Sequence, residues 1–179
     1  MPDRTPPQTP RDALAVETIH LREALELDAE WERLEVRPLP APGPQTDSEL
    51  TAALNAFFVE LELPELGLDW REEGWHELHH EEAVRLLTYL LSQTMAYDMP
   101  KREHPEAREG ALSFLSLFGP DSRVLTNSTL YTVLLPDGSP PTSGLCYSSG
   151  ASLTSATFEG GVVAVGAGRM GLLWFTDED

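Results

Sequence analysis

Gly161-Val-Val-Ala-Val-Gly166-Ala-Gly-Arg169-Met-Gly-Leu-Leu-Trp-Phe-Thr176 is the stretch on which the fold turns. Its two halves read as strands over 161–166 and 169–175, joined at Ala167-Gly168 by a hairpin-type turn. Working back from it, residues 122–176 alternate, are rich in Ser and Thr, and are punctuated by glycine and proline. Further strands are expected at 122–126, 129–135, 142–147 and 152–158, with Pro136-Asp137-Gly138 as a second turn. Short connections favour an antiparallel meander of five to six strands.

Upstream of Gly119-Pro120 the periodicity changes. Ala83, Leu86, Leu87, Leu90, Leu91 and Thr94 recur at helical spacing, with Val84 and Tyr89 widening the stripe, so the central helix is expected from Glu81 to about Met95. His104-Pro105-Glu106 opens another helix, which Gly119-Pro120 ends. A further one opens near Asp47 or Ser48, carries Leu50, Leu54, Phe57, Phe58 and Leu61 inward, and stops before Pro64. Thr9-Pro10-Arg11-Asp12 is an N-terminal helix signature, with Leu14, Ile19, Leu21 and Leu25 following near one face and the stripe continuing towards Trp31 and Leu34. About four helices therefore precede the sheet. The expected architecture is α+β: a disordered arm over 1–9, then one domain over 10–179, helical over 10–118 and β over 119–179, in two layers. Arg37 to Gln45, with four prolines, is a stiff spacer between helices.

The chain has 12 Lys and Arg against 30 Asp and Glu, a formal net charge of −18. Of the 30 acids, 24 precede residue 119. Such a surplus repels phosphate backbones and anionic bilayers, so direct nucleic-acid binding and membrane association are not expected. It favours solubility, or a basic partner drawn in by the field. One cysteine, Cys146, permits no internal disulfide. Nothing basic adjoins it in sequence, and it is expected to be inert in a strand, as suits a cytoplasmic protein.

His76-Glu77-Leu78-His79-His80 resembles the H-E-x-x-H motif of zincin metalloproteases. The resemblance implies His76 and His80 as zinc ligands and Glu77 as the base that polarises the bound water. That chemistry needs both histidines on one helix face. Leu78-His79-His80-Glu81-Glu82 instead reads as a helix beginning, with acids in the first turn and Glu82 three residues after His79 as in a capping box. A looser metal site of His76, His79 and His80 with Glu77 or Glu81 is the remaining option. At the other end, Asp177-Glu178-Asp179 closes the last strand in three acids that could receive an Arg or Lys of a partner.

The functional expectation is an acidic, intracellular binding or inhibitory protein acting on a basic protein partner without a cofactor. The analogy is with toxin-neutralising immunity proteins, and it is one of class alone. The alternative is a zinc-dependent hydrolase built on His76, Glu77 and His80.

Overall fold

The stretch quoted above folds as a hairpin at the centre of a five-stranded sheet. The computed structural model of the chain describes residues 9–41, 43–65, 70–71, 74–97, 99–128 and 152–178. Their elements run α1 (Pro10–Ala24), β1 (Glu32–Pro38), α2 (Asp47–Glu60), β2 (His76–Leu78), α3 (His80–Ser92), α4 (His104–Ser116), β3 (Arg123–Thr126), β4 (Phe158–Gly166) and β5 (Arg169–Asp177). The class is α+β as expected, with four helices and an antiparallel sheet of order β1-β5-β4-β3-β2 among the described residues.

The hairpin register runs from Phe158 opposite Asp177 to Gly166 opposite Arg169. Ala167 and Gly168 both take positive φ, 46° and 69°, the backbone of a tight turn whose twist matches that of the strands. Val162-Val163-Ala164-Val165 and Leu172-Leu173-Trp174-Phe175 have no polar alternation, so neither face of the hairpin can meet water. Helices accordingly lie on both faces, and the architecture has three layers where two were expected. On one face Leu34, Val124, Val162, Ala164, Leu173 and Phe175 pack against Leu14, Leu21 and Leu25 of the α1 segment, Leu86, Leu87 and Leu90 of α3, and Phe114 and Leu115 of α4. On the other, Leu125, Val163, Val165, Met170, Leu172 and Trp174 pack against Leu50, Leu54, Phe57 and Phe58 of α2, with Trp70 and Trp75. Each such side chain, fully buried, is worth about 1.5–3 kcal/mol in removed apolar surface.

Two strands come from the part expected to be helical. The first helix stops at Ala24; Leu25 caps it, Glu26 turns at φ 47°, and Trp31 and Leu34 fall beyond it. Glu32, Leu34 and Val36 then bury in alternation while Arg33, Glu35 and Arg37 stay half-buried, a period of two that makes β1. It pairs with β5, Leu34 opposite Leu173. The second is β2, paired with β3. Residues 152–157, expected in a strand, form a loop. There Leu153 N–H, Thr154 N–H, Thr154 Oγ1 and Ser152 Oγ all donate to the Glu159 carboxylate at 2.5–2.8 Å, so local side-chain bonding wins over a ladder. Strands expected at 129–135 and 142–147, the turn at Pro136, Cys146 and nearly all of the 1–9 arm lie outside the described residues.

The other helix boundaries follow the sequence signals. Thr46 and Glu49 form a full capping box at the start of α2, and the Glu82 carboxylate accepts from His79 N–H at 2.8 Å at the start of α3. Past the end of α4, Phe118 is buried with its ring 5.1 Å from that of Phe114. A Cβ at Gly171 would overlap the Phe118 ring, and one at Gly166 would overlap its carbonyl. Those two glycines let the end of α4 sit directly on the hairpin.

Candidate functional site

The zincin reading fails on local geometry. His76 lies on β2 and His80 is the first residue of α3, so the two do not share a helix face. Glu77 projects to the opposite face from Leu78, where both carboxylate oxygens accept from Arg123, Nε to Oε1 and Nη2 to Oε2, each at 2.8 Å. Arg123 Nη2 also donates to Asp47 Oδ1 at 2.8 Å, and Arg71 Nη1 to Asp47 Oδ2 at 2.7 Å. The bidentate bond from Arg123 holds the Glu77 carboxyl below the usual carboxylate range, and Asp47 is lowered first by Arg71 and then by Arg123. Arg123 is raised in turn, chiefly by Glu77. A carboxylate occupied in this way does not serve as a general base for a metal-bound water. Among the described residues, no three His, Cys, Asp or Glu side chains converge as a metal site requires.

The acidic tail also divides. Asp177 Oδ2 accepts from Met95 N–H at 2.9 Å and Ala96 N–H at 3.1 Å, tying the end of β5 to the turn after α3. Its carboxylate is thus engaged within the chain. Glu178 Oε2 accepts from Thr157 Oγ1 at 2.9 Å at an exposed position. Asp179 lies outside the described residues. Glu178 borders a groove of about 510 Å³ floored by Leu172 and Trp174 and walled by Arg33, Glu35 and the 154–156 loop.

The charge surplus concentrates elsewhere. Packing of α1 and α4 brings Glu26 and Asp28, at the end of α1, beside Glu103, Glu106 and Glu109, and all five are exposed. Two adjoining cavities of about 520 and 390 Å³ run along this seam and share Glu26, Arg102 and Glu106. Glu103, Glu106 and Glu109 repeat every three residues, so they stand on one side of α4. The cations of the trough are turned inward. Arg102 Nη2 donates to the Leu25 carbonyl, and Lys101 Nζ donates to Glu32 Oε1 at 2.6 Å, with Glu32 6% exposed.

Other cations among the described residues are also engaged within the chain. Arg22 and Arg33 donate to backbone carbonyls, while Arg37, Arg71, Arg123 and Arg169 pair with carboxylates. Positive charge is therefore largely spent on internal contacts, and the outward field is carboxylate. The surplus is visible in the sequence but the trough is not, because its residues are separated by about 75 positions and meet only through helix packing.

The fold and this seam define an α/β/α-layered domain with an antiparallel sheet and an acidic trough on its larger helical layer. No known protein family, curated protein or solved structure matches the chain. Among the described residues, no helix is long and apolar enough to cross a membrane.

Proposed function

We propose that the protein is an acidic, cytoplasmic binding protein, inhibitory in the manner of an immunity protein, which takes a basic segment of a protein partner into the trough between α1 and α4. The observation that carries this reading is the asymmetry of pairing: Lys101 and Arg102 are bonded inward, while Glu26, Asp28, Glu103, Glu106 and Glu109 face solvent along one seam. A cationic segment entering there meets several carboxylates at once, and steering by the field speeds its arrival. The two cavities give room for side chains and not only for a surface charge contact. The hydrolase alternative lacks a comparable support, since Arg123 holds the carboxylate it needs.

The test uses a labelled lysine- and arginine-rich peptide, the intact protein, and two charge-matched variants. One carries Glu26→Gln, Glu103→Gln, Glu106→Gln and Glu109→Gln; the other carries Glu62→Gln, Glu65→Gln, Glu81→Gln and Asp121→Asn. Binding should weaken at least about tenfold, about 1.4 kcal/mol, in the trough variant and far less in the control. It should also be lost as salt shortens the screening length from about 10 Å to about 3 Å. Equal weakening in both variants, or binding indifferent to salt, would overturn the proposal.

A further inference from the structure

Among the described residues β1 is an edge strand of the sheet, and the bonding of its outer side can be read atom by atom. Thr176 N–H donates to the Trp31 carbonyl at 2.7 Å and Leu39 N–H to the Gly168 carbonyl at 2.8 Å. Odd-numbered residues of this strand thus turn their backbone towards β5, and Glu32, Leu34, Val36 and Pro38 turn theirs outward. Open edges of this kind recruit further strands unless they are blocked. Here the blocks are specific. Glu32 N–H donates to the Asp28 carbonyl at 2.7 Å, and Pro38 has no N–H to offer. Arg22 Nη2, reaching over from α1, occupies the Leu34 carbonyl at 2.8 Å. Arg37 Nη1 takes the Val36 carbonyl at 3.1 Å. Leu34 is fully buried as a result of this cover and its packing.

The side chains along the same strand are self-complementary. Arg33, Glu35 and Arg37 share one face and alternate in sign. A second copy laid antiparallel and centred on Leu34 sets Arg33 opposite the other copy's Glu35, and Glu35 opposite the other copy's Arg33. Leu34 then meets Leu34 in a hydrogen-bonded pair, and Glu32 meets Val36. Opposite charges directly across a ladder stabilise it, and like charges there do the reverse. We infer that β1 is a latent docking edge for a second copy of this chain, its central Leu34 pair held shut in the monomer by the Arg22 guanidinium on the Leu34 carbonyl.

Arg22→Met keeps the aliphatic stem and removes every donor, so it frees the Leu34 carbonyl, the centre of the paired register, while sparing the packing of α1. The measurement is solution mass by light scattering at about 0.15 M salt, where a screening length of about 8 Å weakens repulsion between two acidic copies but not contact between facing side chains. The wild type should have the mass of one chain, and Arg22→Met should double it as concentration rises. Adding Glu35→Arg should return the variant to one chain, because that register then faces arginine with arginine. A folded Arg22→Met protein that stays monomeric overturns the inference. A dimer that survives Glu35→Arg, or a wild type already dimeric, does so too. Should circular dichroism find Arg22→Met unfolded, the same outcomes are read on Arg22→Ala and, for the wild type, on Glu35→Arg, which must then leave its mass unchanged.

Discussion

The two faces of the sheet are covered by different means. One face carries three helices, and its core is mostly Leu, Ala and Phe drawn from α1, α3 and α4. Among the described residues the other carries one helix, and the remaining core there is filled by Trp70, Trp75 and Trp174 together with Leu153 from a loop. Trp75 lies with its ring 5.9 Å from Trp174 and 5.9 Å from Phe58, so indole stacking does there what a second helix would otherwise do. The lesson is about redundancy. On the three-helix face each helix packs on another helix and on the sheet, whereas on the opposite face α2 is the one helix among the described residues and the 152–157 loop is bonded to one buried carboxylate.

The largest effect that would separate the faces comes from a matched pair of ring deletions. Phe114 and Phe58 are both fully buried, so Phe114→Ala and Phe58→Ala should each cost about 3–5 kcal/mol. Phe114→Ala should lower stability in one cooperative transition. Phe58→Ala should release α2 first, seen as amide exchange in 47–60 that runs ahead of global unfolding. Coincident transitions in both variants would break the comparison.

A middle-sized effect is expected at Glu159, which is 1% exposed and is surrounded by donors from Ser152, Leu153 and Thr154. Glu159→Gln places an NH2 against groups that also donate, so a loss of about 1–3 kcal/mol is expected. Proteolysis within 152–157 should rise with it. An unchanged cleavage rate would mean that burial of Leu153 alone fixes the loop.

The smallest effect concerns the Asp47, Arg71, Glu77 and Arg123 group at the margin of the α2 face. Glu77 and Asp47 are held below their unfolded values, so they bind fewer protons in the native state than in the unfolded one. Their contribution is therefore complete above the unfolded carboxylate range, near about 4, and fades as pH falls through the lower native values. Arg123→Ala should flatten the acid side of the melting-temperature profile without moving it at neutral pH by much. An identical acid limb would show the group to be energetically silent, as many exposed ion pairs are.

Much of the fold was legible in particular residues. Thr46 with Glu49, Pro105 at the start of α4, and Ala167-Gly168 between the last strands are local signals, and local bonding satisfies them. β1 was hidden because its alternation sits among charges directly after a helix, and because Leu34 also falls near the helical stripe of Leu14, Leu21 and Leu25. The second helical face was legible in principle: four consecutive apolar residues in each strand of the hairpin leave no side for water. The site was less so. Glu77 finds Arg123 across 46 positions, Asp177 finds Met95 across 82, and no spacing rule connects such pairs. The H-E-x-x-H spacing is real in sequence and empty in space, since a helix start at His79 sends its two histidines to different elements.

The seat of Phe118 over Gly171, with its carbonyl against Gly166, has one more consequence. Two missing side chains on neighbouring strands form a keyway, and the aromatic ring just past α4 is the key. The helix can neither slide along the hairpin nor roll across it without driving that ring into backbone. Pressure on the outer side of α4 is therefore passed through that ring to the hairpin backbone, so Glu103, Glu106 and Glu109 are seated against the sheet as one unit.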